Sequence, residues 1–187
     1  MAETPYSITI LLLIPAVASL LTLLIPASRV SAPKWTALIA TTATFVWSAM
    51  LFVQFDPNSP SMQFTQTVRW FEVGGFNVRY QVGMDGISLL LVLLTTFLMP
   101  LAVLSSWTID RHLKAYMASM LALEVGMLGV FVSLDLILFY VFWEVMLIPM
   151  YFLIGVWGGE RRIYAADKFF IYTAAASLLM LAGIIVL

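Results

Sequence analysis

Polar and apolar residues in this chain fall into blocks. Six blocks are continuously apolar over spans long enough to cross a bilayer: residues 7–25, 35–55, 86–107, 115–132, 136–157 and 163–187. A spanning helix takes about 20 residues. In hydrocarbon every backbone N–H and C=O must be satisfied within the segment, so a span of this kind is helical. The first block has no basic residue ahead of it, Glu3 being the only charge there, and it is too long for the apolar stretch of a signal peptide. It reads as a permanent span. The pattern therefore predicts an all-α integral membrane protein with six transmembrane helices, in one membrane domain covering 1–187.

Between the second and third blocks, residues 56–85 form the only sizeable extramembrane element. Phe76, Val78, Tyr80 and Val82 alternate with Asn77, Arg79 and Gln81, which is the period of a strand. Residues 62–70 offer a partner, with Gly74-Gly75 near the turn. A small β-hairpin on the outer face follows, most simply a cap over the bundle. Asp85 suits the N-cap of the third helix, where its carboxylate accepts from orphan N–H groups. Gly158-Gly159 suits the C-terminus of the fifth.

Composition agrees. Of 187 residues, 63% are hydrophobic and only 10% charged, too little polar surface for a water-soluble globule of this size. The net charge of −1 removes the electrostatic attraction that nucleic-acid binding needs, so no nucleic-acid partner is expected. There is no cysteine, hence no disulfide, thiol nucleophile or cysteine-held iron–sulfur cluster. The single histidine, His112, lies in a charged loop.

Basic residues orient the bundle. Arg29, Lys34, Arg111, Lys114, Arg161 and Arg162 all fall on one side, with Lys168 just inside the sixth helix. The other side carries Arg69 and Arg79, offset by Asp56, Glu72 and Asp85. The basic loops should be cytoplasmic and the N-terminus outside, as for a multi-pass protein of a bacterial inner membrane. Trp35, Trp107 and Trp157 at helix ends, and Trp70 in the outer loop, suit the interface.

Four ionisable residues lie inside predicted spans: Glu124, Glu144, Asp167 and Lys168. Charge at such depth is costly unless paired or hydrated, which makes these residues functional candidates. Helices 4 and 5 turn near Leu134. Glu124 and Glu144 each stand ten residues from that point, so at 1.5 Å per residue both are expected about 15 Å from the turn, sharing one depth. A carboxyl group that burial holds near neutrality can take and lose protons as its surroundings change. That is the requirement for a proton relay.

On helix 5, Tyr140, Glu144 and Tyr151 fall at about −40°, 0° and −20° on a helical wheel, a polar stripe in an apolar helix. Pro149 lacks an N–H, and its ring clashes with the carbonyl of Val145, so a kink is expected just past Glu144. On helix 6, Tyr164, Lys168 and Tyr172 make a similar stripe, with Lys168 roughly 7–10 Å below the cytoplasmic end. Lys168 could equally be a snorkelling anchor. Asp167 points about 100° away and suits the first turn of its helix. Ala118, Ala122, Gly126 and Gly129 line helix 4 with small residues for close packing, with Glu124 on the far side of the wheel.

The runs Gly83-Met84-Asp85-Gly86-Ile87-Ser88-Leu89, residues 142–151 (FWEVMLIPMY) and Lys168-Phe169-Phe170-Ile171-Tyr172-Thr173 resemble the M-type antiporter-like subunit of proton-pumping NADH:quinone oxidoreductase, respiratory complex I. The likeness runs from about helix 3 to the end and is sharpest around helix 5. It implies an antiporter-like helical bundle with a proton-channel role for Glu144, a cytoplasmic-side relay role for Lys168 and a second carboxylate in Glu124. It implies a proton-translocating, non-redox subunit of the enzyme, whose partners are the other membrane subunits and the lipid bilayer. NADH, FMN, iron–sulfur clusters and quinone would belong to those partners. Members of that family build their core from inverted repeats. The lysine that pairs with the helix 5 glutamate would lie on a seventh helix, and Ala175-Ala176-Ser177 stands where a Gly-Ser pair is common. The chain is therefore expected to be an N-terminal fragment of a longer subunit. The alternatives are a subunit of a multisubunit Na+/H+ antiporter or related ion-pumping complex, and a scaffold that moves no ions.

Overall fold

The computed structural model describes residues 6–26, 31–73 and 76–186. Arg29 and the Gly74-Gly75 pair lie outside them. Six helices follow the apolar blocks: α1 (Ser7–Leu24), α2 (Ala32–Gln54), α3 (Gly86–Ser105), α4 (Leu113–Val132), α5 (Leu136–Trp157) and α6 (Arg162–Val186). All six are long and apolar enough to cross a membrane, and the chain is a multi-pass membrane protein. Between α2 and α3 stand two strands, β1 (Gln63–Val73) and β2 (Phe76–Met84), paired antiparallel.

Most boundaries follow local chemistry. The second helix begins at Ala32 rather than residue 35, because Pro33 occupies its first turn, where a missing N–H costs nothing. The third ends at Ser105 rather than 107. There the Ser106 N–H and hydroxyl both donate to the Ala102 carbonyl and close the helix. Asp85 caps α3 by accepting from the Ser88 N–H at 2.7 Å. Asp135 caps α5, accepting from the N–H groups of Ile137 and Leu138. Gly158 does end α5, but with extended backbone rather than a left-handed cap. Glycine is required there because a side chain would strike the Ile154 carbonyl and approach Arg162 Cβ at 2.9 Å.

The fourth helix is the centre of the bundle. It packs along α1 and α5 and also touches α2 and α3, while α6 packs along α5. Two apolar clusters hold the helices. At the hairpin end, Ile8, Leu11, Leu51, Val92, Leu128, Val132 and Leu138 pack with Phe64, Val82 and Met84 of the strands. At the basic-loop end, Ala18, Ala37, Ala40, Val103, Met117 and Leu121 form the second. The hairpin is thus part of the core. A bulge between Gln63 and Gln66 brings Phe64 inward with left-handed backbone (φ 55°), a conformation a bulky residue adopts only when its surroundings enforce it. The α4–α5 turn joins the sheet edge: Val82 bridges Ser133, and the Leu134 N–H donates to the Gln81 carbonyl at 2.9 Å.

The basic-loop end is closed by polar ties. Lys34 Nζ donates to the Trp107 carbonyl at 2.7 Å and pairs with Asp110 at 3.0 Å. The Trp35 and Trp107 rings meet edge to face, and Trp157 donates to the Arg111 carbonyl.

Candidate functional site

Between the two apolar clusters the buried residues change character. Thr41, Thr44 and Ser48 on α2, Thr96 on α3 and Glu124 on α4 are all fully buried at 0% exposure. Thr41, Thr44 and Thr96 each donate to a carbonyl one turn back on their own helix. Ser48 and Thr96 meet at 2.7 Å across the helix pair. Neither Glu124 oxygen has a hydrogen-bond partner among the described residues. A carboxyl group buried in this way is costly, and its persistence calls for a reason beyond packing.

Glu144 sits elsewhere. The α4–α5 contact is made by Gly126, where an added Cβ would lie 2.9 Å from Met146 Cβ, and by Gly129, whose missing side chain leaves room for the Phe142 ring. These pairings fix the register. Glu124 is level with about residue 148, and Glu144 with about residue 128, an axial offset of four residues or ~6 Å. The common depth expected from the sequence is therefore not found. The reason is local: Ser133 and Leu134 extend onto β2 and Asp135 caps α5, so the turn is centred later than Leu134. Each carboxylate is also two residues from its helix's contact point, or about 160° round the wheel. Glu124 faces the interior of α1–α4, and Glu144 turns toward α6.

On that side the Tyr140 side chain lies against both Glu144 and Ser177, the latter on the buried face of α6. Glu144 Oε1 is buried without a hydrogen-bond partner among the described residues. Pro149 is buried within α5, which continues through it, leaving the Val145 carbonyl without its usual backbone donor.

Lys168 and Tyr172 are not brought to Glu144. They project from the opposite face of α6 to Ala166 and Ser177, and Tyr172 is 80% exposed. Lys168 Nζ lies 5.7 Å from the centre of the Tyr164 ring. The pairing of Tyr151 with Asp167 sets Lys168 level with about residue 150, roughly 9 Å nearer the basic end than Glu144. Tyr151 donates to Asp167 at 3.0 Å, so Asp167 links two helices rather than merely serving its own first turn. Sequence reading missed Ser177 as a neighbour of the Tyr140–Glu144 pair. Its position 11 residues, three turns, beyond the small Ala166 was the available signal. Among the described residues, no group of three His, Asp or Glu side chains could hold a metal ion.

The arrangement is one of single carboxyl groups with open lone pairs inside apolar spans, that of Glu144 beside the Tyr140 hydroxyl. Such groups can bind and release a proton.

Comparison with known proteins places these features in a family. The family described as NADH:quinone oxidoreductase/Mrp antiporter, TM matches residues 133–187, which comprise the turn, α5 and α6. The chain is 51% identical over 152 residues to NADH-quinone oxidoreductase subunit M of Rhodobacter capsulatus, covering 81% of this chain and 29% of that protein. It is 42% identical over 187 residues to NADH-ubiquinone oxidoreductase chain 4 of Arabidopsis thaliana, covering 99% and 37%. A chain in the structure of respiratory complex I from Thermus thermophilus with bound NADH matches with a TM-score of 0.75 at 28% identity, covering 94% and 34%. A chain of an archaeal membrane-bound sulfane sulfur reductase has the same fold, with a TM-score of 0.73 at 18% identity, over 97% of this chain and 36% of that one. The chain spans about a third of the length of the curated relatives it matches. Taken with the six-helix bundle and its buried carboxylates, these likenesses show that the chain belongs to the antiporter-like membrane subunits of NADH:quinone oxidoreductase, of the type called subunit M or chain 4.

Proposed function

We propose that this chain is part of a proton-translocating subunit of an NADH:quinone oxidoreductase, in which Glu144 takes up and releases the moving proton. The observation that carries the reading is a half-buried carboxylate with one oxygen unpartnered, beside Tyr140, which in turn meets Ser177 of α6, on an apolar helix broken in its hydrogen bonding at Pro149. The Tyr140 hydroxyl both accepts and donates, so it can hand a proton to Glu144 or orient it, with Ser177 on its far side. Glu124, in its own buried polar band, serves as a second carboxylate. Lys168 and Tyr172, on the open face of α6, serve the cytoplasmic side of the route. The chain makes one membrane domain with the N-terminus outside and the basic loops in the cytoplasm, in a bacterial inner membrane. NADH, FMN, iron–sulfur clusters and quinone reside in partner subunits, and this chain carries no redox step.

The decisive experiment replaces Glu144 by Gln in the assembled complex and follows NADH-driven acidification of inverted membrane vesicles. Proton uptake is expected to fall to background while electron transfer from NADH to an artificial acceptor persists. Pumping at the unmodified level would refute the role. A subunit of a multisubunit Na+/H+ antiporter is the second reading, supported by the other half of the matching family's description. Ion movement that required Na+ and ignored NADH would select it.

A further inference from the structure

Outside the carboxylate site, a groove of about 720 Å³ lies between α1, α4 and α5 at the basic-loop end. It exists because small residues stand where α4 would otherwise fill it, Ala115 and Ala122 among them, facing Ile148 and Phe152 of α5. Its walls are apolar along most of its length. Its mouth is not: Arg111, His112 and Arg162 gather there. Neither guanidinium has an ion-pair partner among the described residues. Trp157, whose ring N–H is held by the Arg111 carbonyl, stands at the same mouth.

We propose that this groove is a binding site for an anionic phospholipid, with one acyl chain lying between α4 and α5 and the phosphate held at Arg111 and Arg162. Charge complementarity selects this occupant. An apolar slot ending in two unpaired guanidinium groups matches a molecule that is oily along its length and anionic at one end. Arginine binds phosphate oxygens in a two-pronged fashion. Basic pockets between helices at the cytoplasmic surface are where anionic headgroups bind. A polypeptide helix in the groove would leave both cations to find acidic partners.

The test uses phosphatidylglycerol carrying a photoactivatable group in its acyl chain, added to the purified complex in detergent, with the same chain on phosphatidylcholine as the comparator. Labelled peptides are mapped by mass spectrometry. Labelling within residues 115–122 and 148–156 is expected to be roughly tenfold stronger for phosphatidylglycerol than for phosphatidylcholine. The pair Arg111→Gln and Arg162→Gln should bring the two lipids level, while Arg111→Lys with Arg162→Lys should retain most of the preference. Ala115→Phe should remove labelling by both lipids through steric block alone. Equal labelling by the two lipids in the unmodified protein would overturn the proposal. So would suppression by millimolar inorganic phosphate, which would point to a free-anion site. So would absence of labelling with the groove crosslinked, from Ala115→Cys, to another polypeptide.

Discussion

Gly126 lies so close to Met146 that a methyl group on its α-carbon would fall 2.9 Å from Met146 Cβ and 3.1 Å from Met146 Cα. Backbone leaves less room to yield than a side-chain tip. Gly126→Ala should therefore force α4 and α5 apart and cost about 1–3 kcal/mol. The melting temperature of the purified assembly is the measurement. An unchanged value would mean that the helices are not in contact at this position.

Glu124 makes a contrasting case. Both its oxygens are buried without a hydrogen-bond partner among the described residues, so an apolar side chain of similar size should pack at least as well. Glu124→Leu is expected to raise stability by about 1–3 kcal/mol while lowering NADH-driven proton uptake. A variant that is more stable and pumps normally would reduce Glu124 to packing.

Tyr140→Phe removes the hydroxyl beside Glu144, Ser177→Ala the one that meets Tyr140, and both leave the helices intact. Each should slow proton uptake severalfold with little change in melting temperature. Loss of stability without loss of pumping would make this contact a structural one between α5 and α6.

Asp85 offers a pH test outside the membrane. The Ser88 N–H that it accepts holds its carboxyl below the usual carboxylate range. A depressed folded value means that the cap stabilises α3 above about pH 4. The contribution is lost as pH falls through the lowered value. Asp85→Ala should cost about 1 kcal/mol at neutral pH and flatten that acid dependence, measurable as melting temperature against pH. An equal slope in the variant would refute the role of the cap.

At the basic-loop end, Lys34 is nearly buried, whereas its partner Asp110 is exposed. Asp110→Asn should cost no more than about 1 kcal/mol. Lys34→Met should cost more, about 1–2 kcal/mol, because the Trp107 carbonyl also loses its donor. Equal effects would mean that the ion pair carries the whole tie.

The helices were legible because a bilayer demands long apolar runs, and α5 was read to the residue, from 136 to 157. The alternation of Val78, Tyr80 and Val82 gave the second strand. Other features left no trace in the pattern. The inward turn at Phe64 depends on a bulge, which hydrophobic alternation does not encode. The depth of Glu124 relative to Glu144 depends on where the turn is centred, and that is set by the bond from Leu134 to Gln81, 53 residues earlier in the chain. Side-chain direction was half legible. The small stripe of α4 correctly set Glu124 away from Gly126, but the same reasoning applied to Met146 would have turned Glu144 away as well.

With one acid on each side, the α4–α5 pair behaves as a partition. On the proposed reading, a proton held by Glu124 and one held by Glu144 would stand on opposite sides of this pair, and the close seam of Gly126 and Gly129 would bar a straight passage between them. Traffic between the two sides would have to go round an edge of the partition, so motion of the helices flanking it, rather than of the acids themselves, would decide when they communicate.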